Sequence, residues 1–205
     1  MNLAKLFETQ RLLDERILEQ HPELKVQENL DWKVLALQVE LGECANEYRG
    51  FKKWSNDQEP RTKLFTWIDG LGRVIKSLLD PRGVNNNVPN GFNAFRVKNP
   101  LLEEYVDCLH FILSIGLELN IQDRYANEVN FNIGSRTKRT FPTDEFRNTF
   151  RKVAVFDMCW NEQDYMDVFT AFSTLGDALG FTEEEIEEAY FKKNEINLER
   201  QATGY

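Results

Sequence analysis

The chain is poor in cysteine, and its three cysteines form no recognisable framework. Among 205 residues, Cys44, Cys108 and Cys159 make neither a CxxC pair nor an even set. Disulfide-stabilised secreted domains and structural zinc sites both depend on such spacings, so the sequence offers no support for either class. Because unpaired cysteines are typical of a reducing compartment, we expect the protein to be cytoplasmic.

Positive charge and long apolar runs are also scarce. Lys and Arg number 25 against 34 Asp and Glu, which gives a net charge of -9. Binding to a nucleic-acid backbone normally requires a basic patch, so we expect no nucleic-acid polymer as a partner. No apolar run reaches the roughly 18 residues that a transmembrane helix requires, and the opening MNLAKLFETQRLLDER is charged throughout. We therefore expect no membrane association.

Helical periodicity, in contrast, runs through most of the sequence. Apolar residues recur at helical spacing, and the periodic segments end at Gly, Pro or capping residues. The pattern predicts helices over residues 2–20, 30–49, 62–79, 101–119, 143–158, 162–179 and 183–201. The Gly-, Pro- and Asn-rich residues 80–100 are predicted to form a long loop. We expect an all-α helical bundle of about six to eight helices, in a single domain over 1–205 with an inserted helix and loop at about 56–100.

The second predicted helix carries an acidic stripe. At about 100° per residue, Glu40, Glu43 and Glu47 fall within roughly 60° of each other. Apolar residues such as Leu37 and Leu41 flank the stripe, and the clearly polar arc of the helix lies elsewhere. A desolvated carboxylate is costly unless it is paired or binds a metal. The stripe therefore favours a metal site over an ordinary solvated face.

The fourth predicted helix places Glu104, Asp107 and His110 on a narrow strip of an otherwise apolar surface. Taken alone, this strip fits a solvated seam as well as it fits a site. Together with Glu40 and Glu43, however, it suggests four facing carboxylates from paired acidic helices. Hard oxygen ligands suit Mg²⁺, which prefers carboxylates, waters and substrate phosphates. No HExxH motif, zinc spacing or P-loop is present to indicate a different chemistry.

The last predicted helix places Lys193, Asn197 and Arg200 on one face, at positions i, i+4 and i+7. Cations near a helix C-terminus also complement the helix dipole on an ordinary surface. The alternative is a phosphate site, for which the Arg guanidinium is well shaped. The segment GFKKW adds Lys52 and Trp54 directly after the acidic helix, where the indole is either a stacking surface for a base or an edge of the core.

These segments together resemble one family, the dimeric all-α dUTPases of the all-α NTP pyrophosphatase superfamily. ELGECANEYRGFKKW resembles the family's ExxE motif followed by Lys-x-Trp, and EEYVDCLHFILSIGL resembles its ExxD-x-x-His-Phe motif. YFKKNEINLERQATGY is similar to the C-terminal KNxxNxxRQxxGY motif, which is the most specific of the three. Gln10, in ETQRLLDE, is similar to the first motif of the family. The matching segments are spread over the whole length of the chain.

The resemblance implies a role for each matched position. The implied Mg²⁺ ligands are Glu40, Glu43, Glu104 and Asp107. The residues implied to frame the uracil and the deoxyribose are Gln10, Trp54, His110 and Asn197. The residues implied to hold the phosphates are Lys52, Lys193, Arg200 and Tyr205.

The implied activity is hydrolysis of dUTP to dUMP and pyrophosphate by a homodimer, with Mg²⁺ as the cofactor. Glu43 or Glu40 would act as the base on a Mg²⁺-activated water. Two alternatives stay open at the level of the sequence. One is a pyrophosphatase for another nucleotide, such as dCTP or both dUTP and dCTP, and the other is a non-catalytic helical interaction protein.

Overall fold

Six α-helices and three short β-strands make up the described part of the chain. The computed structural model describes residues 1–69, 74–78, 92–122 and 140–203. The helices are α1 (Leu3–Gln20), α2 (Leu30–Tyr48), α3 (Pro100–Glu118), α4 (Pro142–Cys159), α5 (Glu162–Leu179) and α6 (Glu183–Thr203), and a short 3₁₀-helix (Pro22–Val26) follows α1. The predicted all-α bundle is confirmed. None of the described helices is long and apolar enough to cross a membrane.

Local capping signals determine where the helices begin and end. At the end of α5, Gly180 has a φ of 83°, a left-handed conformation that glycine adopts without steric cost. At the start of α6, Thr182 and Glu185 form a reciprocal capping box. The Glu185 N–H donates to Thr182 Oγ1 at 3.2 Å, and the Thr182 N–H donates to Glu185 Oε2 at 2.9 Å. These bonds satisfy backbone donors that a helix N-terminus otherwise leaves unpaired.

Helix α3 lies at the centre of the bundle and contacts α1, α2, α5 and α6. Its apolar residues, including Leu109, Ile112 and Leu113, are fully buried. Full burial of such a side chain contributes roughly 1.5–3 kcal/mol to stability. Because α3 is packed on most sides, the polar side chains that it carries are held in fixed positions relative to its neighbours.

The helix predicted over 62–79 is wrong, because the described residues 64–69 and 74–78 form β-strands. The strands are β1 (Leu64–Asp69), β2 (Val74–Leu78) and β3 (Phe92–Lys98), and they form an antiparallel sheet in the order β2-β1-β3. The third strand also corrects the predicted loop over 80–100, of which residues 80–91 lie outside the described part.

The physical reason for this correction is visible in the sequence. Thr66, Trp67 and Ile68 precede Gly70 and Gly72 in the sequence, and Val74 and Ile75 follow them. β-Branched and aromatic side chains fit a pleated sheet better than a helix, and glycines between two such runs are typical of a hairpin. In a short apolar run, the preference of these residue types for strands outweighs a spacing of apolar residues that also fits a helix.

The sheet is inserted between α2 and α3, and Arg61 joins it to both helices. The Arg61 N–H donates to Glu47 O at 2.9 Å, and the Leu101 N–H donates to Arg61 O at 3.1 Å. The Arg61 guanidinium also lies 3.2 Å from Glu47 Oε1. Helices α2 and α3 therefore pack side by side despite the inserted segment.

Candidate active site

Three carboxylates from α2 and α3 converge on one point. The oxygens of Glu40, Glu43 and Glu104 all lie within 4.8 Å of one another, and we call this group the acid cluster. The i, i+3 spacing on α2 brings two of the acids to the same edge of that helix, and α3 packs alongside to supply the third. Glu43 is exposed, while Glu40 and Glu104 are half-buried.

Burial and mutual repulsion make two of these carboxyls weak acids. Burial raises the pKa of Glu104 to about 7, and the charges of Asp107, Glu40 and Glu43 add to the rise. Burial likewise raises the pKa of Glu40 to about 6, with further contributions from Asp107 and Glu43. A bound divalent cation would stabilise the ionised form of each group, so this oxygen-rich, electrostatically strained set fits a hard divalent metal.

Asp107 lies beside the acid cluster and forms an ion pair. Lys193 Nζ, on α6, donates to Asp107 Oδ2 at 2.5 Å. Burial raises the pKa of Asp107, and the hydrogen bond and charge of Lys193 oppose that rise. The pair brings a predicted phosphate-binding cation next to the predicted metal ligands.

A cavity of about 360 Å³ opens next to the acid cluster. The predicted site residues that line it come from four helices and are Gln10, Glu40, Asp107, His110, Lys193, Asn197 and Arg200. Apolar side chains also line the cavity, namely Leu13, Ile17, Leu18, Leu24, Trp32 and Phe111. This volume is within the range of small-molecule sites, and apolar walls with a few polar groups are typical of them.

Gln10, His110 and Tyr190 form a buried hydrogen-bonded group at the cavity. Tyr190 Oη donates to Gln10 Oε1 at 2.8 Å, and His110 Nδ1 lies 2.8 Å from the same oxygen. The His110 ring stacks on the Tyr190 ring, with 4.2 Å between their centroids. Burial, together with the nearby charge of Lys193, lowers the pKa of His110 to about 3, so the imidazole is neutral at physiological pH.

The cavity contains a second polar group that the sequence patterns did not single out. Asp14 Oδ2 accepts a hydrogen bond from Ser114 Oγ at 2.6 Å and lies 3.6 Å from Lys33 Nζ. Lys33 Nζ donates to Glu118 Oε1 at 2.6 Å. Asp14 Oδ1 accepts from Gln10 Nε2 at 2.7 Å, which connects this group to His110.

Helical spacing gives a signal that could have found these residues. Asp14 follows Gln10 by one turn of α1, and Ser114 follows His110 by one turn of α3. Lys33 lies one turn before Leu37 on α2, and the structure buries it, which is uncommon for a lysine unless its charge is paired. Both partners of Lys33 come from other helices, so its role emerges only in the folded chain.

Of the remaining predicted site residues, Lys52 and Trp54 do not line the cavity. Lys52 Nζ donates to Asn46 Oδ1 on the surface. Trp54 is 78% exposed and packs edge-on against Phe51, with 5.8 Å between the ring centroids. Tyr205 lies outside the described residues. The structure thus brings together the predicted residues of α1, α2, α3 and α6, and it leaves the GFKKW segment at the surface.

A family model described as dUTPase matches residues 2–72 and 93–205. The chain belongs to the dUTPase family. The match covers every described helix, and the unmatched residues 73–92 fall within the inserted segment. Membership of the dUTPase family makes the chain, at the family level, a nucleotide hydrolase acting on dUTP. No curated protein matches it.

Proposed function

We propose that the chain is a cytoplasmic, Mg²⁺-dependent dUTP diphosphatase that hydrolyses dUTP to dUMP and pyrophosphate as a single-domain homodimer. The observation that carries the proposal is the position of the acid cluster, which lies beside a cavity of nucleotide size. Lys193 and Arg200 line the same cavity, so cations for a triphosphate lie next to ligands for a metal. The cysteines are unpaired, which supports a reducing compartment.

Glu40, Glu43 and Glu104, with Asp107, are the proposed Mg²⁺ ligands. Mg²⁺ bound there would neutralise part of the triphosphate charge and make water a stronger nucleophile at neutral pH. The close approach of the three oxygens and the raised pKa of Glu40 and Glu104 both support this assignment.

Glu43 is the proposed general base. Its carboxylate is the exposed member of the acid cluster, so it is accessible to a water that approaches the triphosphate from solvent. Glu40 is the second candidate, because a pKa of about 6 suits proton transfer near neutral pH. The chosen carboxylate takes a proton from the attacking water as the water oxygen bonds to phosphorus. The phosphoanhydride bond between the α- and β-phosphates breaks, which releases dUMP and pyrophosphate.

Lys193 and Arg200 are proposed to hold the phosphates, and Gln10, His110 and Asn197 the nucleoside. The two cations stabilise the charge of the triphosphate and of the leaving pyrophosphate through charge-assisted hydrogen bonds. The apolar wall of the cavity provides a surface for the base. Contacts from Lys52, Trp54 and Tyr205 stay predictions.

A pyrophosphate-release assay tests the proposal. It uses dUTP and each of the four common dNTPs, with Mg²⁺ or with excess chelator. We expect Mg²⁺-dependent turnover of dUTP and its loss in Glu43→Gln, while Glu28→Gln, an exposed acid preceding α2, keeps full activity. Full activity in chelator would refute the metal assignment. Equal turnover of dCTP and dUTP would favour the mixed pyrophosphatase, and no turnover of any nucleotide would favour a non-catalytic protein.

A further inference from the structure

We propose that Asp14 is a positioning residue that sets the hydrogen-bonding pattern by which the cavity distinguishes uracil from cytosine. The inference rests on the proposed function, since it concerns the base of the same nucleotide. Asp14 does not bond to His110 directly. It acts through Gln10, which is hydrogen-bonded to both Asp14 and His110.

The first step is the orientation of the Gln10 amide. An ionised carboxylate only accepts hydrogen bonds, so the group that faces Asp14 Oδ1 at 2.7 Å must be the Gln10 NH₂. Burial raises the pKa of Asp14. The charge of Lys33, 3.6 Å from Asp14 Oδ2, and the hydrogen bond from Ser114 oppose that rise and favour the ionised carboxylate. The Gln10 oxygen is consequently directed to Tyr190 and His110.

The second step is the tautomer of His110. An amide oxygen has no proton to give, so at 2.8 Å from Gln10 Oε1 the His110 Nδ1 must carry the hydrogen. Because the ring is neutral, Nε2 then carries a lone pair. His110 is only 6% exposed and lines the cavity, and its Nε2 has no hydrogen-bond partner among the described residues. Buried polar atoms are rarely left unpaired, which points to a ligand as the missing partner.

The third step is the edge of the base. Uracil presents an N3–H donor, whereas cytosine presents an N3 lone pair beside its amino group. The Nε2 lone pair of His110 can accept a hydrogen bond from the uracil N3–H, whereas it repels the N3 lone pair of cytosine. The opposite tautomer of His110, with the proton on Nε2, would reverse this preference. A buried mismatch of this kind costs enough to change kcat/KM by about tenfold to a hundredfold.

Nuclear magnetic resonance of the ¹⁵N-labelled imidazoles tests the tautomer without any substrate. The chain contains two histidines, and exposed His21 serves as the internal reference. We expect the His110 signals at neutral pH to show a protonated Nδ1 and an unprotonated Nε2. A proton on Nε2, or a charged ring, would overturn the inference even if every Asp14 variant failed to fold.

Substitution of Asp14 tests whether this residue affects the choice of base through Gln10 and His110. In Asp14→Ala we expect the ratio of kcat/KM for dUTP to that for dCTP to fall by about tenfold or more, with His110 as a mixture of tautomers. Asp14→Asn keeps an oxygen that can accept from Gln10, so it should restore the ratio towards that of the wild type. Glu15→Ala, an equal charge change at the next, exposed position of α1, should alter neither measurement.

The two proposals fail in different ways. If the wild type hydrolyses dUTP and Asp14→Ala keeps the same dUTP-to-dCTP ratio, the positioning role is wrong and the proposed function stands. If the wild type hydrolyses no nucleotide with Mg²⁺, the proposed function is wrong and this inference falls with it.

Discussion

Lys193 Nζ lies 2.5 Å from Asp107 Oδ2, and this ion pair joins the C-terminal helix to the central acidic helix. Both groups have a second proposed partner, since Asp107 is expected to bind metal and Lys193 to bind phosphate. A metal alone would have to compete with Lys193 for Asp107. Metal and triphosphate together supply a new partner for each member of the pair, so we expect them to bind cooperatively.

Lys193→Met is expected to change metal and nucleotide affinity in opposite directions. Loss of the ammonium removes a charge that repels the metal, so Mg²⁺ should bind the nucleotide-free protein more tightly. Loss of a charge-assisted hydrogen bond to phosphate should weaken productive dUTP binding and raise KM by about tenfold. Calorimetry and steady-state kinetics measure the two effects. Lys192→Met, an exposed neighbour on α6, is the control, and a decrease in both affinities would contradict the competition.

Binding of Mg²⁺ should release protons near pH 6.5 and almost none near pH 8.5, because the metal binds ionised carboxylates. With a pKa of about 7 for Glu104 and about 6 for Glu40, both groups are partly protonated at the lower pH and ionised at the higher. Calorimetry in buffers of different ionisation enthalpy counts the released protons. Equal proton release at the two pH values would show that these carboxyls are not the ligands.

Buried, neutral His110 should make the protein less stable in acid. The pKa of His110 is about 3 in the folded chain against an ordinary value of 6.5, so between these pH values the unfolded chain binds a proton that the folded chain does not. The free energy of unfolding therefore loses nothing to His110 above pH 6.5. Below that pH it decreases by at most about 1.4 kcal/mol per pH unit because of His110. Glu40 and Glu104, whose pKa values are raised, act with the opposite sign.

Comparison of the wild type with His110→Gln isolates this contribution. We expect the free energy of unfolding of the variant, measured with denaturant between about pH 4 and 7, to depend less steeply on pH. His21→Gln, at an exposed position, should follow the wild-type curve. Parallel curves for the wild type and His110→Gln would mean that the imidazole is not held neutral by burial.

The proposed homodimer requires an apolar contact surface, and α2 offers a candidate beside the acid cluster. Leu35 and Val39 lie one turn apart and are 61% and 50% exposed. Light scattering at micromolar concentration should give the mass of a dimer, and Val39→Asp should shift it towards the monomer because the charge would be buried in the interface. Val26→Asp, at another exposed apolar position, should leave the mass unchanged. A monomeric wild type would contradict the prediction.

The bundle could be predicted because its signals are local. The ends of α5 and α6 follow from Gly180 and from the Thr182–Glu185 capping box, which are contacts within a few residues. The fixed helical period likewise places Glu40 and Glu43 on one edge of α2. The helix predicted over 62–79 is wrong because a short apolar run fits the period of a helix and that of a strand equally well. The β-branched residues of the run were the better indicator of a strand.

The polar contacts of the cavity could not be predicted in the same way. The hydrogen bonds from Ser114 to Asp14 and from His110 to Gln10 each span 100 residues of sequence. Partners at that distance are chosen by how helices pack, and no pattern within one helix specifies them. The sequence therefore indicated which helices carry chemistry, and the pairing of their side chains required the folded chain.

Arg61 holds the two ends of the inserted segment beside each other. Its N–H bonds to Glu47 at the end of α2, and its carbonyl accepts from Leu101 at the start of α3, so the segment leaves and rejoins the bundle at one place. We therefore expect the distance between the two acidic helices to depend little on how many residues lie between them. Insertions and deletions in that segment should leave the carboxylates in place. The sequence of the sheet and that of the acid cluster could then diverge separately.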